Sequence, residues 1–230
     1  MIGLTLLYLT VYISLLVQLI TGIVTFSGMF YNLKEEDKIL SETLTLETIV
    51  QVVEGIFYIY IAMSLRYLNS NLVTQRRYLD WIITTPMMLL STIMYMEYEN
   101  KKVTKEIIRA KSFINKNRTN ITNMFLCNAI MLLSGYLGET GIINKKISIP
   151  IGFIFLMLSF GIMYTNYVGD LAINKQIFFI MLSIWSLYGV AAIMPVIIKN
   201  ILYNILDIIS KNFYGLFLFF KVRNISKGYK

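Results

Sequence analysis

The sequence predicts an all-α membrane protein, a bundle of seven transmembrane helices, and three observations carry that reading. The 230 residues are 57% hydrophobic and only 15% charged, whereas soluble proteins run nearer a quarter charged. Mean hydropathy is +0.64. The apolar residues gather into about seven runs, each near the ~20 residues that a helix needs to cross a bilayer. The period-two alternation of a membrane β-barrel is absent. Three prolines and no low-complexity tract argue against extended disorder, and the single cysteine, Cys127, excludes an internal disulfide. With no histidine in the chain, Ser-His-Asp catalysis, His-ligated zinc or haem and histidine pH switching are excluded. Neither an enzyme nor a metal site is expected. The net charge of +8 calls for no nucleic acid, because membrane proteins collect Lys and Arg in their cytoplasmic loops.

Each span can be justified in order. Residues 1–33 carry no charged side chain, and a first span fits 2–26. It lacks a basic n-region, and its apolar run is about twice the usual h-region length, so it is not read as a cleaved leader. Further spans fit 44–65, 78–96 and 119–138, then 147–168 beginning near Pro150, 174–196 and about 200–220. They form one domain over 1–230, with no internal repeat. Residues 97–118 are too charged to span. Ile107, Ile108, Phe113 and Ile114 among their lysines suggest a surface-lying helix or a cytoplasmic helix extension. With the N-terminus outside, 14 of the 21 Lys and Arg fall in cytoplasmic segments and 6 outside, Lys211 lying within the membrane. The positive-inside rule therefore predicts an extracellular N-terminus and a cytoplasmic C-terminus. The bilayer is the expected partner and a cellular (host) membrane the expected location of this multi-pass protein. A homo-oligomer is compatible with the pattern.

Three spans contain no ionisable acid or base, and a fourth, 174–196, only Lys175 at its cytoplasmic edge. The other three carry Glu47 and Glu54, then Asp80, then Asp207 and Lys211, with Arg76 and Arg77 at a membrane edge. A charge within a bilayer costs at least ~2.5–3.5 kcal/mol, so each is a functional candidate. Asp207 and Lys211 stand four apart on one helix face. They are either an ion pair that staples the bundle or an amine placed to form a Schiff base with an aldehyde. Lys211 is the only lysine deep in an expected span.

The third span reads Arg77-Tyr78-Leu79-Asp80-Trp81-Ile82-Ile83-Thr84-Thr85-Pro86, which closely resembles helix C of the microbial rhodopsins. Asp207-Ile208-Ile209-Ser210-Lys211 resembles their retinal-binding helix G, and Trp185-Ser186-Leu187-Tyr188 their helix F wall. Both tryptophans of the protein fall on these matches. The resemblance spans all seven helices. It implies all-trans retinal covalently bound to Lys211 as a protonated Schiff base. A buried cation of that kind needs compensation or it loses its proton. Asp80 and Asp207 fit as paired counterions, with Arg77 balancing the second negative charge and Thr84 placed to hydrogen-bond the Asp80 carboxylate. Trp81 and Trp185 would sandwich the polyene and Tyr188 line it. Met88, Met131 and Gly135 would flank the ring end, although ordinary helix packing explains Met131 and Gly135 equally well.

Membership of such a family leaves activity open. An outward proton pump resembling bacteriorhodopsin has a carboxylate donor on helix C where this chain has Ser91, which cannot ionise at working pH. No acid lies between Asp170 and Asp207 to release protons, and Gly189 stands where the family commonly has a helix F proline. What the chain offers instead is a polar track. Glu47, Gln51 and Glu54 line one face of the second span, Ser14, Gln18 and Thr21 one face of the first, and Asn204 precedes Asp207 on its side of the seventh. Ser14, Glu47, Glu54 and Asn204, with Asp80, Thr84, Ser91, Asp207 and Lys211, resemble the giant-virus rhodopsins of the light-gated cation channel group. That resemblance implies a photoreceptor passing monovalent cations, with the paired glutamates as a site where Ca²⁺ would block. The alternative is a light-driven outward proton pump. Thr85 and Asn128 occupy the positions of the Cys–Asp pair of algal channelrhodopsins, so that latch is not carried over.

Overall fold

Residues 2–64, 70–102 and 106–228 are described by the computed structural model. Leu65, the expected end of the second span, and the charges Arg66, Lys105 and Lys230 lie outside the described residues. The elements are α1 (Ile2–Gly28), α2 (Lys38–Ser64), α3 (Ser70–Lys102), α4 (Ala110–Lys116), α5 (Arg118–Glu139), α6 (Lys145–Met163), α7 (Ala172–Ala191), α8 (Val196–Asp207) and α9 (Phe213–Lys227). No strand occurs among the described residues. Six of these helices, α1, α2, α3, α5, α6 and α7, are long and apolar enough to cross a membrane. The seventh rod is α8, a π-helical turn over Ile208–Asn212, and α9, running on without a break.

The bundle is apolar outside and polar within, as lipid requires. On α1, Leu16, Ile20 and Ile23 face outward, while Ser14, Gln18, Thr21 and Thr25 are buried against the other helices. The same inversion buries Thr43, Glu47, Gln51 and Glu54 on α2 and exposes Ile49, Val52 and Ile56. Three apolar regions hold the rods together around this polar seam. The largest contains Leu89, Ile93, Met94, Phe160, Met163 and Leu218, a second contains Leu7, Val11, Phe57 and Ile61, and a third contains Trp81, Leu132, Tyr203 and Leu206.

Several helix limits differ from the sequence expectation. The third helix outruns 78–96 at both ends, because flanks such as Glu97, Glu99, Lys101 and Lys102 are too polar for a hydropathy window yet form helix well. The second begins at Lys38 rather than 44, after a short 3₁₀ turn over Glu35–Asp37. The sixth stops at Ala191, not 196. Pro195 cannot continue the hydrogen-bond ladder, and with φ −53° and ψ 145° it starts α8 instead. The seventh helix therefore begins at Val196 rather than 200, which draws Lys199 out of the expected loop and into a helix. The charged segment 97–118 divides, since α3 continues to Lys102 and only the seven residues of α4 form a separate helix. Arg109 pairs with Glu35, and the Ala110 amide donates to Glu42 Oε2 at 2.7 Å, tying this segment to the start of α2.

Pro86 lies near the middle of α3, which continues through it, and just before it the Thr84 and Thr85 hydroxyls donate back to the carbonyls of Asp80 and Trp81 at 3.0 and 2.7 Å. Helices α5 and α6 form a tight antiparallel pair. Their turn uses Gly141 at φ 77°, and the Asn144 side chain caps α6 by accepting from the Lys146 amide at 2.9 Å. Ser134 Oγ donates across the pair to the Ser148 carbonyl at 2.7 Å. Gly138 permits the close approach, because a Cβ there would overlap Ser148 Oγ and lie 2.8 Å from its Cβ. Gly138→Ala should therefore destabilise the protein by ~1–3 kcal/mol through overpacking, read as a lower thermal midpoint in detergent. An unchanged midpoint would show that α5 and α6 can separate without cost.

Candidate functional site

Three helices bring the buried charges together. Lys211 stands in the π turn of the seventh rod, where the regular bonding pattern is broken. Its backbone carbonyl accepts from Gln51 Nε2 at 3.0 Å, so α2 is pinned to the turn at the lysine itself. The ammonium Nζ lies 2.7 Å from Asp80 Oδ2 on α3, 3.0 Å from Glu54 Oε1 on α2 and 3.5 Å from Asp207 Oδ1 one turn back. All four side chains are buried. Asp80 and Asp207 thus stand where the sequence placed them. Glu54 differs, being assigned to the polar track alone yet lying directly on the lysine. Gln18 donates to its other oxygen.

Arg77 is fully buried and pairs with Asp207 rather than Asp80, NH1 to Oδ2 being 3.0 Å. Its other nitrogens donate to Asn200 Oδ1 at 3.2 Å and to Asn204 Oδ1. Tyr58 Oη donates to Asp207 Oδ2 at 2.7 Å and Tyr188 Oη to Asp207 Oδ1 at 2.8 Å. Tyr58, Asn200 and Thr74, which accepts from Asn200 at 2.8 Å, were not singled out from sequence. Tyr58 had a signal, since it extends the Glu47, Gln51, Glu54 stripe by one more turn. Thr84 differs from expectation. Its hydroxyl bonds the Asp80 backbone carbonyl, and Asp80 Oδ1 has no hydrogen-bond partner.

Beside the lysine an apolar cavity opens between α3, α5, α6, α7 and the seventh rod. Trp81, Thr85, Met88, Met131, Gly135, Trp185, Tyr188 and Lys211 all line it. Trp81 meets Tyr188 and Tyr203 edge-on with ring centroids 5.5 and 5.0 Å apart, and Trp185 meets Phe160 at 5.4 Å. Gly135 has a packing role as well, since a Cβ there would lie 2.6 Å from Tyr78 Oη. At Gly189, the family's proline position, a Cβ would fall 2.5 Å from the Phe153 ring, so Phe153 fills the space that a larger residue would take. Asn128 lies outside the lining but donates from Nδ2 to Thr85 Oγ1 at 2.8 Å, joining α5 to α3 through neutral groups. A long apolar slot walled by aromatic rings, with an amine at one end, fits retinal.

The polar track is also assembled. Ser14 Oγ donates to the Asn204 carbonyl at 3.1 Å, and Asn204 Nδ2 donates to Thr10 Oγ1 at 2.9 Å. Glu47 is fully buried two turns from Glu54 and accepts from Ser91. Buried acceptors remain without partners at Gln18 Oε1, Glu47 Oε2, Gln51 Oε1 and Asp80 Oδ1.

A second buried lysine corrects the sequence reading. Lys199 is as buried as Lys211, but both oxygens of Glu139 hold its Nζ at 2.8 Å, and Lys145 reaches the same carboxylate at 2.9 Å. Lys199 does not line the cavity. Its burial was hidden because Pro195 starts the helix earlier than hydropathy indicates.

A family profile described as "Bacteriorhodopsin-like protein" matches residues 9–225. The chain belongs to that family. Among solved structures it is similar to the viral rhodopsin OLPVRII, with TM-score 0.85, 28% identity, and coverage of 96% of this chain and 99% of that one. Xanthorhodopsin, titled a light-driven ion pump with dual chromophore, shares the fold at TM-score 0.74 and 14% identity, over 98% of this chain and 94% of its own. Exiguobacterium sibiricum rhodopsin does so at TM-score 0.65 and 21% identity, over 95% and 98%. No curated protein matches the sequence. This bacteriorhodopsin-like chain is an integral, multi-pass membrane protein, and the family binds retinal through a lysine. Lys211 is the buried lysine that lines the cavity. Lys211→Ala should give a protein without a visible absorption band after retinal addition. A full band in that variant, measured by spectrophotometry, would place the attachment elsewhere.

Proposed function

We propose that this rhodopsin is a light-gated cation channel, with Asp80 as principal counterion of the charge on Lys211. Bound there, retinal supplies light absorption and an isomerisation that displaces that charge. The protein's part is to hold the charge at rest and to respond when it moves. Asp80 Oδ2 is the nearest carboxylate oxygen at 2.7 Å, while Asp207 shares its charge with Arg77, Tyr58 and Tyr188. Lys211 and Arg77 face three carboxylates, so electroneutrality of the buried cluster asks for one proton held among Glu54, Asp80 and Asp207.

The observation that carries the channel reading is the set of buried polar groups on α1, α2 and the seventh rod: Asn204 and Ser14, then Glu54 and Gln51, then Glu47. Partners within this set fix the side chains, and its unpartnered oxygens offer coordination to water and cations. Displacing the Lys211 charge removes the partner that closes Glu54 into the central cluster. With the N-terminus extracellular, the set runs from the outer side at Asn204 to the cytoplasmic side at Glu47. Carboxylates along it select monovalent cations over anions, and Glu47 with Glu54 form the place where Ca²⁺ would block.

A second reading, an outward proton pump, has one observation in its favour. Glu47 sits against Ser91, so a carboxyl group from α2 occupies the space where a pump's donor on α3 would stand. The two readings separate in voltage-clamp photocurrents recorded under varied sodium and proton gradients. A channel gives currents that reverse with voltage at potentials following the gradients, and Glu54→Gln lowers them several-fold. Currents of one direction at all physiological voltages would establish the pump. Reversing currents unchanged in both Glu47→Gln and Glu54→Gln would keep the channel and move its path away from α2. Asp80→Asn should shift the visible band to longer wavelength, since the nearest negative charge is removed. An unshifted band would transfer the counterion role to Asp207 or Glu54.

A further inference from the structure

The buried polar groups do not end at Glu47. Ser91, which donates to Glu47, begins a stripe on α3 that continues at four-residue spacing through Tyr95 to Glu99. On α9, Tyr214, Phe217 and Lys221 share one helix face and meet that stripe. Tyr95 packs edge-on against Phe217 with ring centroids 5.2 Å apart, and Tyr214 stacks on Phe217 at 6.2 Å. Lys221 Nζ lies 2.7 Å from Glu99 Oε1 and 5.7 Å from the centroid of the Tyr95 ring. Both tyrosines are buried, yet neither hydroxyl has a hydrogen-bond partner. The Tyr214 hydroxyl stands beside Ser91 and Thr92, and that of Tyr95 beside Glu99. Buried hydroxyls without partners are disfavoured. Here two of them lie in succession between a fully buried carboxyl, Glu47, and one close to the surface, Glu99.

The Glu99–Lys221 pair is unlike the ion pairs of the neighbouring rim. Glu35, which takes both Lys38 and Arg109, is 57% exposed, and pairs of that kind contribute little. The Glu99 side chain is 11% exposed and that of Lys221 27%. The carboxylate therefore belongs to the bundle, while the ammonium reaches it on a flexible stem from the edge. An ammonium seated on a carboxylate occupies the position that a small monovalent cation would take.

We propose that Glu99 is a cytoplasmic cation-binding site of the path, with Lys221 as its tethered resting occupant and Tyr95 and Tyr214 as the polar steps between Glu99 and Glu47. This rests on the channel reading. An ion arriving from Glu47 displaces the ammonium from Glu99, and an ion entering from the cytoplasm competes with it. Charge balance holds throughout, because one cation replaces another at one carboxylate.

The test is voltage-clamp photocurrent from the full protein with retinal, normalised to the visible pigment present. Neither Glu99 nor Lys221 lines the retinal cavity, so the visible band should be unchanged in their variants, which checks the fold. Lys221→Gln leaves the carboxylate open to ions and should raise the current several-fold, since charge at a narrow mouth multiplies the local cation concentration. Glu99→Gln leaves an ammonium without its counter-charge and should lower the current several-fold. The double variant should fall between the two. A pair that only staples α3 to α9 is broken equally by either substitution, so opposite signs are the result that separates a binding site from a staple. Both effects should shrink as cytoplasmic salt is raised, because screening weakens them. Single variants whose currents fail to move in opposite directions would overturn the inference, as would effects indifferent to salt, while reversing wild-type currents keep the channel. Wild-type currents of one direction at all physiological voltages would overturn the channel reading and this inference with it.

Discussion

An ammonium in the middle of a bilayer protein has to be neutralised where it stands, and the rest of this structure follows from that requirement at Lys211. A buried charge is costly unless it is paired, so carboxylates converge on it from neighbouring helices. Asp80 comes from α3, Glu54 from α2 and Asp207 from the lysine's own helix. That surplus of negative charge then needs Arg77, which needs Asn200 and Asn204 to satisfy its remaining donors. Each partner recruits the next, and the polar seam of the bundle grows outward from one cation. The seam also sets the register of α2, α3 and the seventh rod, because a shift of one residue on any of them would leave a buried charge unpaired.

The π turn over Ile208–Asn212 shows how the backbone serves the same end. A backbone carbonyl has two lone pairs and can accept a side-chain bond besides that of its helix. Here that carbonyl accepts from Gln51, so the residue that carries the charge is anchored through its main chain as well as its side chain. A lysine side chain is long and flexible, and movement of its tip would otherwise dissipate in the stem. With the main chain fixed, displacement of the tip bears on Asp80, Glu54 and Asp207, the groups that hold its Nζ.

Much of this was legible in the sequence for a simple reason: lipid punishes charge, so every ionisable residue inside an apolar run had to mean something. Lys211, Asp80, Asp207 and the Glu47–Glu54 stripe were found on that ground, and helical periodicity put the stripe on one face. Less legible was everything that depends on what the facing helix offers. Thr84 had two acceptors one turn away, a carboxylate and a carbonyl, and its hydroxyl makes the ordinary helical back-bond to the carbonyl. Glu54 could have lined a path or joined the lysine, and only the distance across helices decides. Lys199 was misplaced because hydropathy cannot see that Pro195 both ends α7 and begins α8. Glu139, at the end of α5, then gives that lysine a partner that no local pattern announces.

The difference between passing many ions and moving one proton lies in how the layers of the seam are joined. The layer at Asn204 and Ser14, the layer at Glu54 and Lys211, and the layer at Glu47 and Ser91 are each internally bonded. A pump needs them to connect one at a time, in order, so that a proton delivered from one side never finds an open way back. A channel needs them open together. Gln18, Gln51 and Glu47 each keep a buried oxygen without a partner. In the proposed channel those acceptors would favour a hydrated link between layers once the central charge is displaced. The strength of the Ser91–Glu47 contact opposes that link on one side, and the Gln18–Glu54 contact opposes it at the centre. Only the central contact shares a residue with the Lys211 cluster, so in the proposed channel it is the one that displacement of the Lys211 charge would loosen first.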